Sequence, residues 1–388
     1  MTNTSPAAVL FREQNTPSGQ RLGFAQLNAE KSLHALTLEM IRLLDAQLQR
    51  WVEDPKIACV VLNAVGERAF CAGGDVRSLR DAILAHRGSL PNPQAEAFFS
   101  EEYRLDYRIH TYPKPILLWG GGIVLGGGLG LMAGSSHRIV TETSRIAMPE
   151  ISIGLYPDVG ASWFLRRMPG RMGLFLALTG APLNAHDALE LGLADFFLRA
   201  ADRNTLFDHL GGLTWGHTTA DNHAILSRAL RAFAARARAH LPSSNVRSHA
   251  DLIARLMDGD SLAEVTELLT AYRGDEPWLA KAVVSFASGS PTSAGLIWEI
   301  WRRAKHLGLA DVFRMELIVS LQCCAHPDVA EGVRALLVDK DNTPRWTPQT
   351  AALVSDQWIA EHFTVPSSWA NEANPLADLG DRERRNFR

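Results

Sequence analysis

A chain of 388 residues, 46% apolar and 21% charged, has the material for a sizeable core and exceeds one ordinary domain. Its formal net charge of −3 offers no electrostatic footprint for nucleic acid, and no apolar run approaches membrane length. The four cysteines, Cys59, Cys71, Cys323 and Cys324, have neither metal-ligand nor disulfide-framework spacing, so a reducing, cytoplasmic setting is expected.

The opening Met1 to Leu10 has no basic flank and no signal-type apolar core. Leu22 to Leu27 reads as a short strand. Thr37 is the candidate N-cap of a helix in which Leu38, Ile41, Leu44, Leu48 and Trp51 recur at helical spacing. His34, in the bend before it, reads as a surface histidine. Val60-Val61-Leu62 reads as a buried strand, followed by the glycine-rich run Cys71-Ala72-Gly73-Gly74-Asp75. Val76 to Arg87 is expected to be helical, Asn92 to Gln94 to interrupt it, and a second helix to span about Ala95 to Ile109. The adjacent Glu101 and Glu102 on that helix read, by composition alone, as a solvated face.

Ile116 to Trp119 reads as another buried strand, and the glycines after it lead through Gly126-Gly127-Gly128 into a helical stretch from Leu129 to Ala133. A helix start leaves backbone N–H groups unpaired and carries partial positive charge, which suits a developing oxyanion. Two glycine-rich loops, each leaving a strand, can supply one N–H apiece to a single carbonyl oxygen. Short strands are expected at His137 to Thr141 and Arg145 to Ala147. Glu150 and Asp158 then lie eight positions apart with Gly154 and Pro157 between them, so the chain can fold back and bring both acids to one pocket. Such a pair near apolar walls has its pKa values pushed apart and can do acid/base or nucleophilic work. The plainer alternatives are a salt bridge for Glu150 and a turn aspartate for Asp158.

Farther on, Asn184 caps a short helix with Asp187 in its first turn, Gly192 beyond its end and His186 on its surface. Residues 200–244 read as largely helical, with Arg231, Arg236 and Arg238 on a solvated face. Ser261 and Glu264 form a capping-box pattern. Gly289-Ser290-Pro291 precedes a helix carrying Leu296, Ile297, Ile300 and Trp301, and a further helix begins near Asp311 with Phe313, Leu317, Leu321 and Cys324 on one stripe. The tail after Trp358, ending Asp381-Arg382-Glu383-Arg384-Arg385, is expected to be polar and loose.

The two glycine-rich loops, the strands before them and the spacing between them resemble the crotonase (enoyl-CoA hydratase/isomerase) superfamily. That resemblance implies an α/β fold, a spiral of ββα units with a largely helical C-terminal region. It divides the chain into an acyl-CoA-binding core at residues 1–205 and a mainly helical region at 206–388 that completes the site. It places the thioester carbonyl against the N–H groups of Gly74 and Gly127. Hydratases of the superfamily carry one glutamate two residues after the glycine triplet, where this chain has Gly130. A second stands in the Pro-Glu turn, here Glu150, and Asp158 occupies a position that is usually glycine in hydratases.

Phe98-Phe99-Ser100-Glu101-Glu102-Tyr103, the run from Met148-Pro149-Glu150 to Asp158-Val159-Gly160, and Glu331-Gly332-Val333-Arg334-Ala335 are similar to the 3-hydroxyisobutyryl-CoA hydrolase branch. This implies hydrolysis of a short-chain 3-hydroxyacyl-CoA thioester. Glu150 attacks the carbonyl or activates water, Asp158 assists proton transfer or binds the substrate hydroxyl, and Glu102 lines the acyl end. Where relatives have an asparagine that opens Asn-Ala-Leu, this chain has His34, so contact with the adenine end of coenzyme A falls to the backbone. Arg231, Arg236 and Arg238 either touch CoA phosphates or are simply solvated. The resemblance implies no metal or redox cofactor, coenzyme A being part of the substrate, and the net charge and lack of long apolar runs give no expectation of a nucleic-acid or membrane partner. A homo-oligomer is left open. An enoyl-CoA hydratase or isomerase of the same fold, and a non-catalytic binding protein, are the alternatives.

Overall fold

Strands alternate between two sheets, and that alternation sets the architecture. The computed structural model describes residues 7–370 and 373–381. Within them run β1 (Val9–Asn15), β2 (Arg21–Leu27), β3 (Ile57–Ala64), β4 (Ala69–Cys71), β5 (Ile116–Gly120), β6 (Ile123–Leu125), β7 (His137–Val140), β8 (Arg145–Ala147) and β9 (Phe196–Phe197). The larger sheet has the order β1-β2-β3-β5-β7-β9 and the smaller one β4-β6-β8. Each turn of the chain therefore lays one strand in each sheet and then enters a helix. The helix Val76–Ala85 follows β3 and β4, the helix Gly127–Gly134 follows β5 and β6, and a 3-10 turn at Glu150–Ile153 follows β7 and β8. This is the ββα spiral expected from the sequence.

β1 and β2 pair antiparallel, whereas the pairs β2–β3, β3–β5, β5–β7 and β7–β9 are parallel. Parallel strands covered on both faces read as unbroken apolar runs, and β3 is buried along its whole length. The edge hairpin strand β1 had no clear signal in the sequence, since its outward positions Arg12, Glu13 and Gln14 dilute the pattern.

Internal contacts group the chain into two compact units interleaved along the sequence. The first holds residues up to Gly74, Arg108–Ile146 and Leu183–Ser248. It contains nearly all of both sheets. Its core sets Leu22, Phe24, Val61, Leu117 and Trp119 against Leu206, Phe207, Leu226 and Leu230 from the helices Arg203–Gly211 and Thr219–Ala237. The second unit holds Asp75–Tyr107, Ala147–Pro182 and the chain from His249 onward, and is almost wholly helical. Among the described residues, no helix is long and apolar enough to cross a membrane.

Two expectations are corrected. The tail after Trp358 is not loose where it is described. Trp369, Leu376 and Leu379 are buried in the second unit, Trp369 Nε1 donates to Glu96 Oε1 at 2.7 Å, and Arg104 pairs with Asp378 at 2.8 Å. Apolar residues spaced through a polar stretch anchor it, a pattern that average polarity hides. Residues 382–388, which include most of the basic ending, lie outside the described residues, as do residues 1–6 at the opening. His34 is the second correction: it is 1% exposed, not a surface residue.

Its burial follows from the backbone. Leu33 and His34 both have positive φ, +52° and +57°, which turns the imidazole inward. The Ala29 N–H donates to Nδ1 at 2.9 Å, so Nε2 carries the proton and donates to the Val65 carbonyl at 2.9 Å. Burial lowers the ring's pKa, which keeps it in this neutral form. The bend so held is the one that grips the first glycine-rich loop.

Candidate active site

β4 and β6 are parallel neighbours, with Ala69 opposite Ile123 and Cys71 opposite Val124. The loops leaving these strands, Ala72–Gly74 and Gly126–Gly127, therefore start side by side in the first unit. Gly73 and Gly126 adopt φ of +103° and +46°, conformations open to glycine and strained for other residues. The bend carrying His34 grips the first loop from both ends: Ala72 N–H donates to Leu33 C=O at 3.0 Å, and Leu36 N–H donates to Gly73 C=O at 2.8 Å. Leu36 forms a parallel bridge with Gly74. In that pairing the Gly73 carbonyl faces Leu36, so the N–H of Gly74 points away from it.

Gly127 is the first residue of the helix Gly127–Gly134. Its N–H has no carbonyl one turn earlier to receive it, and it sits at the positive end of the helix. The helix begins two residues before the Leu129 expected from the sequence, because Gly126 rather than Gly128 makes the turn. Gly128 is packed so tightly on β4 that an added Cβ would stand 2.6 Å from the Cys71 carbonyl oxygen. Gly128→Ala is expected to destabilise the fold by about 1–3 kcal/mol, the usual range for overpacking, read as a lowered melting temperature. An unchanged melting temperature would show that the contact yields freely.

The second unit assembles the carboxyl groups. Glu102 and Asp106 lie one helical turn apart on the helix Pro93–His110. Glu150 opens its 3-10 turn, and Gly154 in the left-handed region lets the chain double back toward Asp158. Glu316 comes from the helix Leu309–Ala325. Exposures are 2% for Glu102, 0% for Asp106, 6% for Glu150, 5% for Asp158 and 0% for Glu316. No ion pair among the described residues involves any of these five.

The group is electrostatically crowded. Burial drives the pKa of Glu150 well upward, and the charge of Asp158 and then of Glu102 adds to it. Glu102 is raised by burial and then by Asp158, and Asp106 by burial and then by Glu102. Asp158 is pushed up to about 6 by burial, moderated by the hydrogen bond from Tyr103. Glu316 is pushed up to about 8 by burial, although its oxygens accept from Gly160 N–H at 2.8 Å and Ser162 N–H at 3.1 Å. Like charges this close cannot all ionise in an apolar pocket. Crowding of this kind favours protons on some members over others, the situation in which paired acid and base chemistry arises.

Partners distinguish the members. Asp158 Oδ2 accepts from the Tyr103 hydroxyl at 2.6 Å. Glu102 Oε1, Glu150 Oε2 and both oxygens of Asp106 are buried with no hydrogen-bond partner among the described residues. A buried carboxyl oxygen left open is costly unless a ligand or a proton serves it. Thus Glu102, Glu150 and Asp158, proposed from sequence, share one cluster in the second unit, and Gly74 and Gly127 share the paired loops of the first.

The sequence reading overlooked Tyr103, Asp106, Tyr156, Glu316 and Ser320. A signal existed: Asp106 follows Glu102 by one helical turn. Glu316 and Ser320 lie on the same face as Phe313 and Cys324, so an apolar stripe there carried two buried polar groups. Arg231, Arg236 and Arg238 are exposed, in keeping with the solvated reading. His186 is half-buried, its Nδ1 bonded to the Pro242 carbonyl at 2.8 Å, while Asn184 and Asp187 form a complete capping box.

Comparison with known proteins matches residues 22–363 to the family described as enoyl-CoA hydratase/isomerase. The chain is 35% identical over 367 residues to a protein of Danio rerio named 3-hydroxyisobutyryl-CoA hydrolase, mitochondrial, covering 94% of this chain and 91% of that one. The Homo sapiens protein of the same name is 33% identical over 342 residues, 88% of this chain and 86% of that one. Among solved structures, a carnitinyl-CoA dehydratase from Mycobacterium thermoresistibile superposes with a TM-score of 0.80 at 33% identity, covering 92% of this chain and 97% of that one. An enoyl-CoA hydratase from Rhodobacter sphaeroides superposes with a TM-score of 0.79 at 34% identity, over 93% and 98%.

Proposed function

Because the chain belongs to the enoyl-CoA hydratase/isomerase family, we propose that it hydrolyses the thioester of a short-chain 3-hydroxyacyl-CoA, 3-hydroxyisobutyryl-CoA foremost, to the free hydroxy acid and CoA. The observation that carries this reading is the buried pair Glu150 and Asp158, in a chain whose helix Gly127–Gly134 has no ionisable side chain. Hydration of a double bond, as the superfamily performs it, draws on a glutamate at the position of Gly130. The names of the solved relatives, a hydratase and a dehydratase, favour that second reading, and the absent acid weighs against it. Retention of a costly buried carboxyl cluster weighs against a binding protein without turnover.

In this mechanism the N–H groups of Gly74 and Gly127 stabilise the oxyanion that forms on the thioester carbonyl. Glu150, ionised and with one oxygen unpaired, attacks the carbonyl carbon or takes a proton from the water that does. Burial among other carboxyls raises the energy of its charged form and so raises its reactivity as a base. Asp158 gives a proton to the leaving thiolate sulfur or holds the substrate hydroxyl, and Glu102 shapes the acyl end. Four free, buried cysteines support a reducing compartment such as the cytoplasm.

Purified protein is expected to release free thiol from 3-hydroxyisobutyryl-CoA and to leave the enoyl absorbance of crotonyl-CoA nearly unchanged. Rapid loss of that absorbance without thiol release would replace the hydrolase with a hydratase.

A further inference from the structure

Behind Asp158 runs a chain of three buried hydroxyl groups. The Tyr103 hydroxyl contacts Asp158 Oδ2 at 2.6 Å and Ser320 Oγ at 2.8 Å. Ser320 Oγ contacts the Tyr156 hydroxyl at 2.9 Å, and the Tyr156 hydroxyl contacts the Glu316 carbonyl oxygen at 2.7 Å. The contacts are Asp158–Tyr103, Tyr103–Ser320, Ser320–Tyr156 and Tyr156–Glu316, one more than the hydroxyl protons of Tyr103, Ser320 and Tyr156. Burial and nearby carboxylates raise both tyrosine pKa values well above the usual range, so each phenol keeps its proton and no more.

The far end of the chain is fixed. A carbonyl oxygen only accepts, so Tyr156 spends its proton on Glu316. Ser320 then has one proton for two neighbours. With Asp158 ionised, Tyr103 donates to it, and either Tyr103–Ser320 or Ser320–Tyr156 becomes two facing oxygens without a proton between them. With Asp158 neutral, its proton goes to Tyr103, Tyr103 donates to Ser320, Ser320 to Tyr156 and Tyr156 to the carbonyl. Every contact is then served, in one direction.

We propose that Tyr103, Ser320 and Tyr156 form a reversible hydroxyl relay through which Ser320 and Tyr156 raise the proton affinity of Asp158, complete when that carboxyl is neutral and one proton short when it is ionised. The relay makes Ser320 and Tyr156 positioning residues, acting through Asp158 from two and three hydrogen bonds away. The proton count depends on geometry alone; its consequence for catalysis rests on the proposed hydrolysis. There, when Asp158 passes its proton to the leaving thiolate, Tyr103 turns its hydroxyl proton to the new carboxylate. When Asp158 regains a proton, from the water that cleaves the anhydride if Glu150 attacks or from solvent if Glu150 itself deprotonates the water, the relay returns to its complete direction.

The other titratable groups facing Asp158 are Glu102 and Asp106 from the helix Pro93–His110, Glu150 from the turn before it, and Glu316, Cys323 and Cys324 from the helix Leu309–Ala325. All are acids, so none supplies a cation that would hold Asp158 ionised. They act through space on its average proton affinity. The hydroxyl chain differs from them in the sign it predicts for each substitution.

Ser320→Ala leaves Tyr103–Asp158 and Tyr156–Glu316, two contacts for two protons, so an ionised Asp158 is no longer penalised. Tyr156→Phe leaves Asp158–Tyr103 and Tyr103–Ser320, again two contacts for two protons. Both are expected to lower the pKa of Asp158 by about half a unit to one unit, the size of one hydrogen bond gained or lost. Tyr103→Phe removes the donor that stabilises the carboxylate and is expected to raise it. The carboxyl stretch of Asp158, isolated in infrared spectra of the ligand-free protein against Asp158→Asn and followed through a pH titration, reads these shifts without any turnover. The pH profile of CoA release should move in the same directions. Opposite signs for Tyr103→Phe and the other two support the relay; shifts of one sign, or none in either Ser320→Ala or Tyr156→Phe, overturn it. Infrared shifts of the expected signs in a protein that releases no CoA would sustain the relay and reject the hydrolase.

Discussion

Glu150→Gln is expected to lower the rate of CoA release by about 10²–10⁴, the loss typical of a removed general base, while the melting temperature hardly moves. The amide keeps the shape of the side chain and removes the charge needed for attack or proton abstraction. Little stability is at stake, because Glu150 Oε2 has no partner and no ion pair among the described residues involves Glu150. The charge of Asp158 presses against that of Glu150, so neutralising one of them relieves repulsion. A structural role predicts the reverse, a lower melting temperature with turnover intact. Asp158→Asn is the companion, and a milder loss there assigns that residue to positioning. Retention of more than about a tenth of the wild-type rate in Glu150→Gln falls well short of that range and would remove Glu150 from the chemistry.

The pH dependence follows with a definite sign. Attack or base catalysis needs Glu150 ionised, and its pKa is displaced upward by burial and by Asp158. Activity is therefore expected to fall on acidification starting from a higher pH than an ordinary glutamate would give. In Asp158→Asn the like charge is gone, so this limb should move to lower pH.

Gly127→Val is expected to reduce CoA release by about 10²–10³, the cost of losing one oxyanion donor. The residue stands first in its helix, directly after Gly126, whose φ of +46° makes the turn. A β-branched side chain there crowds the face on which the N–H is presented and restricts the turn that aims it. Helix propensity at a first position changes little, so the protein should still fold. Turnover near wild type would place the carbonyl somewhere other than this helix start.

Much of this was legible in the sequence because the determining signals are local. Unbroken apolar runs such as Val60-Val61-Leu62 announce strands buried on both faces. Glycine directly after such a strand announces a loop that a ligand or another backbone approaches closely, as Gly73 and Gly128 both show. Thr37, Asn184 and Ser261 sit at N-caps in the structure, since capping is a contact over two or three residues. The eight-residue separation of Glu150 and Asp158, broken by Gly154, was enough to suggest that both acids reach one pocket.

The carboxyl cluster as a whole was not legible. Periodicity says that Glu102 and Asp106 share a helix face, and likewise Glu316 and Ser320, but it assigns polar residues to solvent by default. That default fails where two such faces meet, because each polar group then finds its partners on a segment far away in sequence. Tyr103 reaches Ser320 across 217 positions and Tyr156 reaches the Glu316 carbonyl across 160. His34 failed for a related reason: its inward turn comes from the positive φ of Leu33 and His34, but the Val65 carbonyl that satisfies the buried ring lies 31 positions away. By itself the sequence determined the strands β2, β3, β5, β7 and β8, the glycine loops and the acids Glu150 and Asp158, all written within a few residues of chain. Only the tertiary structure decided which acids are buried together and which hydroxyls serve them. The free energy of a buried polar group depends on what faces it, and those partners are brought there by folding.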